Sequence, residues 1–208
     1  MLTYLTPSQP FSYEIPKIKR SKFIWYLFPI TPWATHPQDQ IQSLLEKHRK
    51  TYFDATHHCY AYRIWTSVNQ DLFWNTYINP QYTKANDDGE PTNTAGKPIL
   101  SVLEGAQLHN VLLIVTRYFG GTLLGVGGLI QAYTETAKQT IANAPLINAE
   151  ITKTLEITYA YDKTAQISHL ISKYQAKILA EERGEQVKQT LEVNYDFYEK
   201  ITQEISLI

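Results

Sequence analysis

The sequence predicts an α+β protein built in two parts, which divide near residue 145. Three observations predict it. Eight of the nine glycines fall between Gly89 and Gly128, and only Gly184 lies beyond. The helical pattern of the first part ends in NAPLINAE, residues 143–150. The remainder then runs strand, helix, strand, strand, helix, an order that suggests a ferredoxin-like plait with helices on one face of a sheet. Its usual closing strand is hard to find before Ile208. The expected domains are therefore 1–142 and 143–208, and a chain of 208 residues that is 43% hydrophobic can bury a core in each.

Each element has its own signal. FSYEIPKIKRSKFIWYLFPI (11–30) is rich in β-branched and aromatic residues and reads as one or two strands. Ile41, Leu44, Leu45 and His48 form a helical face after Pro37, a residue that suits a first helical turn. HHCYAYRIWT alternates as a strand does, and Asp87 to Thr94 is turn-rich. TAGKPILSVLEGA then predicts a short helix capped by Thr94, with Pro98 tolerated near its first turn. NVLLIVTRYF is an apolar run of the buried-strand kind. Ile130, Tyr133, Ala137 and Ile141 follow at helical spacing. Beyond the boundary, ITKTLEITYAY is a strand, and Ile167, Leu170, Ile171 and Tyr174 mark a helix. AKILAEE and QVKQTLEVNY are strands joined through Gly184, and Phe197, Ile201 and Ile205 mark the last helix.

Composition excludes several classes. The formal charge of −1 gives no bulk attraction to nucleic acid or membrane. Twelve per cent aromatics, among them 15 tyrosines, argue against disorder. The single cysteine, Cys59, cannot form a disulfide within the chain and fits a reducing compartment. The first residues lack the basic and apolar regions of a secretory signal, and no apolar run is long enough to cross a membrane. A soluble cytoplasmic protein is the expectation, with no membrane partner.

Four segments carry candidate chemistry. RYFGGTLLGVGGLIQAY (117–133) places Gly120, Gly121, Gly125, Gly127 and Gly128 at a strand-to-helix junction. Its backbone N–H groups could hold phosphate. However, no Lys-Ser/Thr pair follows the glycines, as a phosphate-binding P-loop requires. A tight corner or a surface for a partner is the competing reading. NDDGEPTNTAG (86–96) gathers Asp87, Asp88 and Glu90, which could bind Mg²⁺ or simply shape a turn ahead of a helix. In DATHHCYAYR (54–63), strand alternation sends His57 and Cys59 to one face and His58 to the other. That arrangement fits core residues better than a zinc site, which needs three or four converging ligands. KIKRSKF (17–23) sets Lys17, Lys19, Arg20 and Lys22 near Tyr13, Phe23, Trp25 and Tyr26. Such a cluster suits phosphate contact with base stacking, or a strand edge that lysines keep from aggregating.

Together KRSKFI, DATHHCYAYR, DDGEPTNTAGKPIL and VTRYFGGTLLGVGGLIQAY resemble the Impact/YigZ family, in order and over most of 1–142. The resemblance implies a first domain with the fold of ribosomal protein S5 domain 2, followed by a ferredoxin-like plait in the bacterial two-domain type. It implies a translation-linked regulatory protein that binds RNA, the ribosome or a translation factor by occupancy, with no established catalytic residue, metal or cofactor. The expected binding residues are Lys17, Lys19, Arg20, Lys22, Asp88, Glu90, Arg117, Gly120, Gly121, Gly125, Gly127 and Gly128. In that reading Arg117, the 17–22 cluster and the backbone of the corner contact phosphates. The competing class is a Mg²⁺-dependent small-molecule phosphotransferase or hydrolase that uses the DDGEP carboxylates and the glycine-rich corner.

Overall fold

The computed structural model describes residues 3–31, 37–70 and 76–208. Contacts divide the chain into two compact units, Leu5–Ile147 and Asn148–Ile208, the second also taking in Thr3 and Tyr4. The class is α+β in both.

In the larger unit, β2 (Phe11–Ile18), β3 (Ser21–Pro29), β4 (His57–Gln70), β5 (Thr76–Asn86) and β6 (Val111–Tyr118) form one sheet. Its order is β2-β3-β6-β4-β5, and all four pairings are antiparallel. Two helices, α2 (Gly96–Gly105) and α3 (Val126–Asn143), lie on one face. Their core holds Phe23, Trp25, Leu27, Cys59, Ile99, Leu103, Leu113, Val115 and Tyr133. β6 is buried along almost its whole length because helices cover both faces of the sheet. The helix on the second face is α1 (Pro37–Thr51), which buries Ile41, Leu45 and His48 in a cluster with Tyr60, Ile64, Leu112 and Ile114. Burying each such aliphatic or aromatic side chain is worth roughly 1.5–3 kcal/mol, so the sheet is held from both sides.

The expected cap of α2 is corrected by the structure. Thr94 turns its hydroxyl back to donate to the Pro91 carbonyl at 2.7 Å. Asp87 caps the helix instead, accepting from the N–H groups of Ala95 at 2.9 Å and Gly96 at 2.8 Å.

The smaller unit contains β8 (Thr152–Tyr159), a 3₁₀ turn at Tyr161–Lys163, α4 (Thr164–Lys173), β9 (Lys177–Arg183), β10 (Val187–Asn194) and α5 (Tyr195–Ser206). The sheet order is β8-β10-β9, antiparallel throughout. Ile157, Ile167, Leu170, Leu191, Val193 and Ile201 close its core. Asn194 caps α5, its side chain accepting from the Asp196 N–H at 3.0 Å. Two short strands, β1 (Thr3–Pro7) and β7 (Leu146–Glu150), pair as a separate ribbon.

Candidate functional site

The four sequence segments are brought together on the α2/α3 side of the larger unit. β2 and β3 are joined by a two-residue turn, since Ile18 pairs with Ser21. Lys19 and Arg20 make that turn at φ 43° and 67°, the positive values that a tight hairpin of this twist needs. The turn rests on Gly120. A Cβ added at Gly120 would lie 2.1 Å from the carbonyl carbon of Arg20 and 2.4 Å from the Ser21 nitrogen. A bare Cα is therefore what lets the basic tip and the glycine-rich segment meet.

Beneath this tip lies a buried polar cluster. Arg117 donates through Nη1 to Glu90 Oε1 at 2.5 Å and through Nη2 to Ser21 Oγ at 3.3 Å. The side chains of Arg117 and Glu90 are only 5% and 3% exposed. Glu90 also accepts from the Tyr133 hydroxyl at 2.8 Å, and that hydroxyl lies 3.3 Å from Cys59 Sγ. The guanidinium carbon of Arg117 sits 5.7 Å from the ring centre of Phe23 and 5.6 Å from that of Phe119. Burial pushes the Tyr133 phenol well above its usual range, with Cys59 and Glu90 adding to the effect. Burial likewise pushes the Cys59 thiol up. Both groups stay protonated, and the thiol donates to the Asp87 carbonyl at 3.0 Å.

The expectation that Arg117 and Glu90 face a ligand does not fit this placement. Both are paired inside the unit, and a buried pair with good geometry is a structural tie. Asp88 holds a different joint. Its carboxylate accepts from Arg49 and from the His58 N–H, each at 2.6 Å. Its carbonyl accepts from His57 Nδ1 at 2.9 Å, which assigns the ring proton to Nδ1. Asp87, Asp88 and Glu90 thus point to separate protein partners, and no metal-binding cluster occurs among the described residues.

The surface above the cluster is what remains available. Lys17, Lys19 and Arg20 are exposed, whereas Lys22 pairs with Glu14 at 3.1 Å. Gly125 leads into α3 at φ 76°, and the helix has no side-chain cap and no acidic residue in its first turn. Gly121 and Gly127 have open space where a Cβ would stand, and Gly128 lies next to Leu124. Large apolar side chains sit exposed in the same segment: Phe119 at 44%, Leu123 at 82%, Val126 at 61% and Ile130 at 40%. Phe53, 84% exposed, lies in the turn that follows α1, and the same turn borders this segment through Asp54 and Thr56. There the Phe119 N–H donates to Thr56 Oγ1 and the Tyr118 hydroxyl donates to Asp54, both at 3.0 Å.

Helical spacing groups Ile130 with Tyr133, Ala137 and Ile141, but only the latter three are buried. Ile130 lies one turn nearer the exposed start of α3 and faces out, while Phe119, Leu123 and Val126 carry no signal in that spacing. The available signal was aliphatic residues inside a glycine-rich loop, where a turn needs none. Ser21 was also missed, and only its neighbours in space reveal it.

Comparison with known proteins fits this arrangement of motifs. Residues 19–141 match the family described as the Impact N-terminal domain. An IMPACT family member of Haemophilus influenzae is 34% identical over 184 residues, 87% of this chain and 80% of that protein. The IMPACT family member YvyE of Bacillus subtilis is 32% identical over 167 residues, 80% of this chain and 69% of that one. Rattus norvegicus Protein IMPACT is 32% identical over 131 residues, 58% of this chain and 36% of the rat protein. The chain belongs to the IMPACT family. Among solved structures, a hypothetical protein superimposes with TM-score 0.69 and 26% identity, covering 99% of this chain and 92% of that chain. No helix among the described residues is long and apolar enough to cross a membrane.

Proposed function

We propose that this chain is a translation-linked regulatory protein that acts by occupancy, docking a protein of the translation machinery on the corner formed by residues 117–130 and the Lys19–Arg20 tip. One observation carries the reading. Phe119, Leu123, Val126 and Ile130 are exposed together within twelve residues, with Lys19 and Arg20 exposed beside them at Gly120. Soluble proteins rarely leave such a patch open unless it meets a partner. Aliphatic side chains flanked by cations suit an apolar protein segment with acidic neighbours better than bare RNA phosphate. The buried Glu90–Arg117–Tyr133 cluster then serves to hold the corner rigid, which lowers the ordering cost of binding. The translation link comes from family membership.

Sedimentation of the full chain with purified ribosomes and purified translation factors tests the reading. Leu123→Asp/Val126→Asp is expected to abolish co-sedimentation, and Lys19→Ala/Arg20→Ala to weaken its dependence on salt. Undiminished association by both variants would contradict it, and protection of RNA rather than protein at the tip would reassign the corner to RNA. The phosphotransferase reading has no free carboxylate set to use, since Asp87, Asp88 and Glu90 are each engaged by the protein itself.

A further inference from the structure

The α1 face of the five-stranded sheet carries a second feature, separate from the docking corner. Residues two apart on a strand share a face, so Tyr60, Tyr62 and Ile64 of β4 all look toward the α1 side, where Tyr60 and Ile64 enter its core. The register sets Lys84 opposite Tyr62 and Tyr82 opposite Ile64, on the edge strand β5. Tyr62 is half-buried, with its ring parallel to that of Tyr60 at 8° and 6.5 Å between centres. Tyr82 is 47% exposed and Lys84 is exposed. Arg49, on the neighbouring helix, is committed to Asp88. Lys84 has no ion-pair partner among the described residues.

We propose that this outer strip is a stacking site for single-stranded RNA, with Tyr82 and Tyr62 meeting bases and Lys84 meeting a phosphate. An exposed aromatic ring beside a free cation on a sheet surface is the chemistry that unpaired nucleotides need, because every base presents a π-face and every linkage a charge. A duplex keeps its bases stacked inside and gains nothing from the rings. Tyr82 and Lys84 stand two residues apart on one face of β5, which lets a base lie on the ring while its own linkage reaches the ammonium.

Fluorescence anisotropy on the full chain tests the site. The probes are a labelled oligouridylate of roughly 12 nucleotides, within the usual span of such sites, and an RNA duplex of the same length. The single strand is expected to bind more tightly than the duplex. Tyr82→Ala is expected to weaken single-strand binding at least about five-fold, while Tyr82→Phe, which keeps the ring, retains it. Lys84→Ala is expected to reduce the slope of log affinity against log salt by about 0.7. Equal or tighter binding of the duplex, no binding of the single strand, an unchanged Tyr82→Ala, or a Tyr82→Phe as weak as the alanine variant would overturn the proposal. The readout is RNA alone, so its failure and the failure of protein docking at the corner are separate results.

Discussion

Glu90 and Arg117, 27 residues apart in sequence, form an ion pair of 2.5 Å inside the larger unit. The pair ties the DDGEP loop to the end of β6, and Tyr133 adds α3 to the same carboxylate. Removing either charge leaves the other buried and uncompensated. Arg117→Met or Glu90→Gln is expected to destabilise the protein by roughly 3–5 kcal/mol in urea unfolding. The double variant Glu90→Met/Arg117→Met should recover much of that loss, because two apolar groups carry no uncompensated charge. Additive losses in the double variant would show that the pair is not coupled in this way.

The glycines of the corner divide by what surrounds them. Gly120→Ala must push a Cβ into the Arg20–Ser21 backbone, so it is expected to displace the basic tip and to cost several kcal/mol, on the order of an overpacked core. Gly127→Ala meets open space in the first turn of α3 and should stabilise by up to about 1 kcal/mol. Thermal melts of the two variants moving in the same direction would contradict this placement.

A third expectation concerns pH. His48 is buried between α1 and the sheet, its Nε2 2.5 Å from Thr116 Oγ1. Burial, and then the neighbouring His58, lower its pKa from 6.5 to about 4. His58 is lowered in the same direction, first by burial, with Asp88 opposing and Arg49 adding to the shift. The unfolded chain therefore binds more protons than the folded one between those values. Stability is full above pH 6.5 and falls as pH drops toward 4, with His48 contributing a loss on the order of 2–3 kcal/mol. His109, lowered likewise by burial and then by Arg63 to about 4, adds a loss in the same window. Urea unfolding at stepped pH checks this, and His48→Gln should remove only its own share of the slope. A wild-type curve level from pH 7 to pH 4.5 would refute it.

Asp87 carries the start of α2 and also accepts from the Asn93 N–H at 2.9 Å. Asp87→Ala is expected to cost about 2 kcal/mol through loss of the cap, measurable as faster amide exchange at Ala95 and Gly96. Asp88→Asn, whose ion pair with Arg49 is largely exposed on the arginine side, should cost less. The reverse ranking would place the cap elsewhere.

Much of the fold was legible because its signals are local. The apolar run of β6, the Pro37 start of α1 and the helical spacing of Tyr133, Ala137 and Ile141 depend on neighbours in sequence. β5 was passed over because Pro80 sits within it, and proline is poor in a strand. The register there shifts between Ile64 and Trp65, which pairs with Pro80. The short strands β1 and β7 offer five residues each and little alternation. The site was harder to read for a related reason. Arg117, at the end of an apolar strand, reads as a surface cation until Glu90 is seen beside it. Likewise, Thr94 is the nearest cap candidate by sequence, whereas Asp87 reaches the same N–H groups from eight and nine positions away. Cys59 and His57 on one face, with His58 on the other, followed from strand alternation alone.

The most direct measurement is the binding isotherm of the full chain on purified translation components, wild type against Leu123→Asp/Val126→Asp, with circular dichroism confirming that both are folded. Docking through the corner predicts saturable binding by the wild type and at least a roughly tenfold loss in the variant, since two buried aliphatic contacts of about 1 kcal/mol or more each are removed. Equal affinity of two equally folded proteins would contradict docking at residues 117–130.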